Sequence, residues 1–383
     1  MARSLYIHDC RLASAPGLPT GVLMEGAKIT AVGIQDVPGA DRLDAGGRLL
    51  SPGFIDVHIQ GAGGADVLDG TPEALATMSA TLARLGTTGF LATTVARPGT
   101  GHDHLRIARE YMKTGPRGAE LLGVHLEGPF INITKKGGIA PEGIYAYSQD
   151  ALADLLAAAG ESLRMMTIAP ELPGAIECIH RLVDRGIIAA FAHSQAGYDD
   201  LRRGCEAGIT HVTHIFNAMI GLHHREPGPI AAIFEHPSIT AQIISDGHHV
   251  HPAIVRLLRS AIGTARCVCI TDGVQGMGLP DGRYRYCGRE YESREGVARY
   301  LDGTLIGTTM GLGEIARRFR AFTGCSTAEA LDTVTIVPAR LLGIDAAKGS
   351  IAPGKDADLV LLNQDLSVHA TLVSGRVVHT EAV

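Results

Sequence analysis

Eight short apolar runs, separated by polar or amphipathic stretches, constrain this chain more than any other feature. They are Phe54–Ile59, Gly89–Val95, Leu121–Leu126, Met165–Ala169, Ile187–Ala192, Ile209–Ile215, Ile239–Ser245 and Cys267–Thr271. Runs this short, rich in Val, Ile and Leu, are buried strands, and the stretches between them carry helical spacing. Helices are predicted at Pro72–Leu85, His102–Met112, Asp150–Ala159, Ala175–Arg185 and Pro252–Ile262, with Leu312–Phe322 and Ala328–Leu342 following the last strand. An alternating βα order demands a parallel sheet, and eight units close a ring. The predicted class is α/β: a (β/α)8 TIM-like barrel.

The two chain ends follow a different rhythm. Leu5–His8, Gly21–Glu25 and Lys28–Val32 at one end, and Asp358–Leu362, Ala370–Ser374 and Arg376–His379 at the other, are brief strand-like runs divided by turn residues. Neither end can bury a core alone. Residues 1–50 and 348–383 are therefore expected to combine into one small β-sandwich domain, with 51–347 forming the barrel. The 48 glycines interrupt apolar runs singly or in pairs, as many tight strand-to-loop transitions require.

Chemistry in such barrels sits at the C-terminal ends of the strands. Here those ends read Asp56-Val57-His58, His125-Leu126-Glu127, Ala192-His193-Ser194, His211 to His214, Asp246 to His249, and Thr271-Asp272. One such histidine would be an ordinary loop residue. Imidazoles and carboxylates on several separate strands form a set suited to a divalent metal, zinc first and iron as the alternative. His211 lies three residues before His214 and so faces the other way along a strand; it is expected to be structural. Cys267 and Cys269 have a small apolar role in a strand. The glycines at 61–64 lack the spacing of a dinucleotide-binding turn.

A net charge of −6 gives no general field for nucleic acid. No run approaches a bilayer span, the first residues lack a signal-peptide core, and seven cysteines without a CxxC pair form no disulfide framework. A cytoplasmic protein that engages neither membrane nor nucleic acid is expected.

At the same strand ends the sequence resembles the amidohydrolase superfamily and, within it, the N-acetylglucosamine-6-phosphate deacetylases. The matching motifs are Pro52-Gly53-Phe54-Ile55-Asp56, His125 to Phe130 (HLEGPF), Ala192-His193-Ser194, Thr213 to Met219 (THIFNAM), Arg225 to Gly228 (REPG), Asp246 to Val250, and Thr271-Asp272, with Ala352 to Asp358 near the end. The resemblance implies that one divalent metal is held by Glu127, His193 and His214, and that Asp272 activates the water nucleophile. It further implies hydrolysis of the acetamide of N-acetyl-D-glucosamine 6-phosphate. Sugar contacts would come from Gly138, Ile139, Asn217, Ala218, Asp246 and His249, and from a loop at Leu305, Ile306 and Gly307. Arg225 would reach the neighbouring site of a homodimer and meet the phosphate.

Two departures from the family pattern bear on these expectations. Where many relatives have HxH, this chain has His58-Ile59-Gln60, so His58 offers at most a partial second metal site. Where the family has a histidine two residues after Lys-Lys-Gly, this chain has Ile139, which bears on the acyl or sugar pocket unless Lys135 or Lys136 replaces the lost donor. The competing readings are the galactosamine 6-phosphate analogue, another N-acyl amidohydrolase, and a non-catalytic assembly protein.

Overall fold

All eight predicted barrel strands are present in the structure, a computed structural model that describes residues 4–286 and 288–381. They span Phe54–Ile59, Thr87–Thr94, Glu120–Glu127, Leu163–Ile168, Ile188–Phe191, His211–Val212, Thr240–Ile243 and Cys267–Cys269. Each pairs in parallel with its neighbours in chain order. The ring closes where Ile59 bridges Gly273 and the Asp272 amide donates to the His58 carbonyl at 3.0 Å. Closure thus lies within three residues of two predicted site residues.

The helices begin where the sequence supplies caps. Thr71 accepts from the Ala74 amide ahead of Pro72–Arg84, and Ser148 caps Gln149–Ala159. The predicted helix Ala328–Leu342 is instead two, Thr327–Asp332 and Ile336–Leu341. Thr333 and Thr335 turn their hydroxyls back onto the Ala330 and Leu331 carbonyls and interrupt the ladder. Two helices escaped the periodicity reading, Tyr198–Ala207 and Gly228–Glu235. The first is mostly polar and the second is barely two turns long.

A four-stranded antiparallel sheet, Gly282–Tyr286, Arg289–Arg294, Val297–Tyr300 and Leu305–Thr308, follows the last barrel strand. The predicted loop at 305–308 is therefore an edge strand of this sheet. Its hairpin partners alternate buried and exposed residues, a period-two signal that the sequence carries but that the eight-run reading passed over.

The chain ends meet in one eight-stranded sheet, joined where Leu49–Pro52 pairs antiparallel with Leu359–Leu362. Ile7, Val22, Met24, Leu50, Leu359, Leu361 and Leu372 share a buried core separate from that of the barrel. At the junction Lys348 Nζ lies 2.5 Å from Asp358, 2.7 Å from Glu120 and 3.1 Å from Asp356. Among the described residues no helix is long and apolar enough to cross a membrane.

Candidate active site and metal centre

Three ligand atoms from three barrel strand ends converge at the rim. His193 Nε2 and His214 Nε2 stand 3.0 and 2.9 Å from Glu127 Oε1 and 3.0 Å from each other. His193 Nδ1 is 2.7 Å from the Lys135 carbonyl, which only accepts, so the proton sits on Nδ1 and Nε2 presents a lone pair. Two imidazole nitrogens and a carboxylate within 4.8 Å of one another fit a divalent cation. Burial opposes ionisation of Glu127, but His58, His193 and His214 outweigh it and hold the carboxyl well below its usual range.

The backbone turns sharply to present these groups. His193, His214, Ala218 and Asp272 have φ of 48°, 27°, 54° and 47°. Side chains in this left-handed region cost roughly 1–3 kcal/mol each. Asp272 projects beside the ligand triad, where Gln60 Nε2 donates to its Oδ1 at 3.2 Å and reaches Glu127 Oε2 at 3.5 Å. His58 Nε2 is also 3.2 Å from Asp272 Oδ1, and its Nδ1 donates to Gln242 Oε1 at 2.9 Å. Burial raises the Asp272 pKa, but His58 outweighs it and keeps the carboxyl below its ordinary value.

Gln60 thus places amide N–H groups where a second imidazole would place a lone pair. His58 stands apart from the triad, 3.7 Å from Glu127 and fully buried. His125 and His211 sit deeper, bonded to Thr167 and Thr240 at 2.8 and 2.7 Å with no exposure to the rim.

A cavity of about 160 Å³ opens over the triad. It is bordered by Gly138, Ile139, Asn217, Ala218, His249, Leu305 and Ile306 as expected, and by Gly137 and Tyr286, which the sequence reading missed. The Asn217 amide nitrogen is tied to the His214 and Ile215 carbonyls. No lysine or arginine side chain borders this cavity among the described residues.

Two predicted sugar contacts, Asp246 and Gly307, do not border this cavity, and neither does Arg225, which is expected to serve a neighbouring site. Asp246 is fully buried, and its Oδ2 accepts a hydrogen bond from His249 Nδ1 at 2.6 Å while its Oδ1 accepts from the His248 and His249 amides. It orients His249 and leaves that ring's Nε2 for the pocket. Gly307, at φ 140°, packs so closely that a Cβ would lie 2.2 Å from the Asp272 carbonyl oxygen; it makes room for Asp272. Arg225 is exposed, outside its own chain's pocket, with Nη1 2.6 Å from His224 Nε2.

Ile139 is buried against Val95 and Ile131, with Leu68 and Ile144 alongside. Neither neighbouring lysine takes over a donor role: Lys135 Nζ reaches the Met219 carbonyl and Lys136 Nζ the Gly137 carbonyl. A larger cavity of about 510 Å³ lies across this segment but holds none of the converging ligand atoms. The hydrolytic chemistry therefore belongs to the smaller pocket.

The amidohydrolase family's sequence profile matches residues 49–378. The chain is 38% identical over 331 residues to an Escherichia coli O157:H7 N-acetylgalactosamine-6-phosphate deacetylase, covering 86% of this chain and 87% of that protein. It is 38% identical over 333 residues to a Bacillus subtilis N-acetylglucosamine-6-phosphate deacetylase, covering 86% and 84%. Among solved structures, a Pasteurella multocida N-acetylglucosamine-6-phosphate deacetylase superposes with a TM-score of 0.92 at 29% identity, covering 99% and 100% of the two chains. A Mycobacterium smegmatis mutant of that enzyme, in complex with N-acetyl-D-glucosamine-6-phosphate, gives 0.89 at 32% identity, covering 99% and 100%.

The chain belongs to the amidohydrolase family, in the branch that holds these two kinds of sugar-phosphate deacetylase. Family membership implies a divalent metal, and Glu127, His193 and His214 form the matching donor set.

Proposed function

We propose that this chain hydrolyses the acetamide of an N-acetylhexosamine 6-phosphate, with N-acetyl-D-glucosamine 6-phosphate the favoured substrate, releasing acetate and the amino sugar phosphate. The observation that carries this reading is the Glu127–His193–His214 triad with the Asp272 carboxylate in the same pocket. A divalent cation, zinc before iron, supplies carbonyl polarisation and acidifies water when bound. Asp272 accepts the proton of the attacking water and returns it to the departing nitrogen. Gln60 holds the Asp272 carboxylate in place, and His249, steadied by Asp246, offers its Nε2 to a substrate oxygen. The described cysteines are all free thiols, which suits a cytoplasmic enzyme.

Acetate release from N-acetyl-D-glucosamine 6-phosphate, measured beside its galactosamine epimer and longer N-acyl analogues, tests the substrate. Preference for the galactosamine epimer, whose deacetylase in E. coli O157:H7 is a similarly close relative, would move the assignment to that sugar. Elemental analysis is expected to return one tightly held metal per chain. Two metals, both lost in His58→Ala, would overturn the single-site reading.

A pocket bordered, among the described residues, by no lysine or arginine takes its guanidinium for a phosphate from outside. We assign that role to Arg225 of a second copy in a two-fold homodimer, each arginine completing the other's site. Mixing inactive Arg225→Ala and Asp272→Asn chains is expected to restore part of the activity. Verified mixed dimers without recovery would refute the composite site.

A further inference from the structure

One buried amide links a metal ligand to the partner of the catalytic base. Gln242, on the barrel strand Thr240–Ile243, is fully buried and does not border the pocket. Its Oε1 lies 3.3 Å from the His214 backbone nitrogen and 2.9 Å from His58 Nδ1, and its Nε2 lies 3.7 Å from the Met165 sulfur. These three contacts fix which end of the amide is which. The His214 backbone N–H only donates, so the atom facing it is the oxygen, and the amide nitrogen is left to the thioether, a weak acceptor. An amide oxygen only accepts, so His58 Nδ1 carries the proton between them.

That proton decides how the ring lies. An imidazole turned half a revolution about its Cβ–Cγ bond fills nearly the same space, so shape alone separates the two orientations poorly. The turned ring would set a carbon where Nδ1 now meets Gln242, and it would move Nε2 from the place it now holds, 3.2 Å from Asp272 Oδ1. It would also strand a buried ring nitrogen without its partner, at full desolvation cost. Asp272 Oδ1 takes its other bond from Gln60 Nε2 at 3.2 Å. Two buried side chains thus hold the carboxylate, and Gln242 sets one of them.

We infer that Gln242 is a positioning residue for the hydrolysis: its oxygen, oriented by the His214 amide, holds the His58 ring so that Nε2 meets the Asp272 carboxylate. Gln242 itself touches no substrate. For its effect on turnover the inference rests on the proposed deacetylation. For the hydrogen-bond pattern it does not.

Gln242→Met keeps the side-chain length and removes the oxygen. With zinc in excess it should lower kcat for acetate release from N-acetyl-D-glucosamine 6-phosphate about 10–100-fold, the range for lost outer partners of a metal site. KM should stay near the wild-type value, because no ground-state contact is removed. Gln242→Glu, which still accepts from both donors, should recover most of the lost kcat. In a His58→Ala background Gln242→Met should cost little more, since the two residues act as one unit. Proton–nitrogen NMR spectra of the imidazoles in the zinc-loaded protein read the bond without substrate. The His58 Nδ1 proton should resist exchange in wild type and in Gln242→Glu, and be lost to exchange in Gln242→Met. A wild-type His58 Nδ1 without a proton would overturn the inference before any variant is made. So would normal kcat in Gln242→Met, a loss carried by KM, a full-sized loss in the His58→Ala background, or no recovery in Gln242→Glu. A wild type that releases no acetate removes the proposed reaction, while the spectra still judge the bond.

Discussion

At the junction between barrel and terminal sheet, the Lys348 ammonium meets three carboxylates within 3.1 Å. At the barrel rim, Glu127 and Asp272 are comparably buried, yet the groups around them are left incompletely matched: His214 Nδ1 and Gln60 Oε1 lack hydrogen-bond partners. The rim backbone also holds four site residues in left-handed conformations, whereas Lys348 and its partners have no positive φ. Both regions bury charge, but only the junction closes its charges among themselves. Open lone pairs and strained backbone are what a site must keep when a cation and a substrate complete it.

That contrast predicts which substitutions cost turnover and which cost stability. Asp272→Asn should lower kcat by about 10²–10⁴ while the protein keeps its metal and its melting temperature. The amide keeps the shape and removes the proton acceptor. Steady-state kinetics with metal analysis checks this, and near-normal turnover would place the base elsewhere.

Lys348→Met should do the reverse, costing about 3–5 kcal/mol of stability by stranding the buried Asp358 carboxylate, with kcat intact below the transition. Burial opposes the Lys348 charge, but Asp358 and Glu120 outweigh it and raise its pKa above the ordinary lysine value. A raised folded-state value means the contribution is fully present below about pH 10 and is lost as pH climbs beyond it. Denaturant unfolding of both proteins across alkaline pH should show the gap narrowing. A constant gap would remove Lys348 as its cause.

The smallest effect is expected at the wall between the two cavities. Ile139→His should shift the preference among N-acyl chains by about tenfold, the scale on which an apolar pocket reads a methylene. It should also cost stability, because an imidazole would replace an apolar side chain packed on Val95 and Ile131. Unchanged rates and preference order would make Ile139 a neutral difference.

The sequence by itself determined the barrel, because eight β-rich runs alternating with helices have few other ways to bury both faces of a parallel sheet. It also determined which strand ends carry Glu127, His193, His214 and Asp272, since the fold puts chemistry at those ends. Strand periodicity separated His211 from His214 before any coordinates. Residues that meet across chain distance were not legible. Gly307 looked like a substrate contact and instead clears space for the Asp272 carbonyl; Asp246, whose partner His249 is only three residues away, was hidden by its burial and not by distance. Tyr286 entered the pocket on a sheet that the eight-run reading had passed over. Only the tertiary structure decided these roles, because hydrogen-bond partners and close approaches depend on where distant strands are brought together, and local pattern encodes only which face a residue occupies.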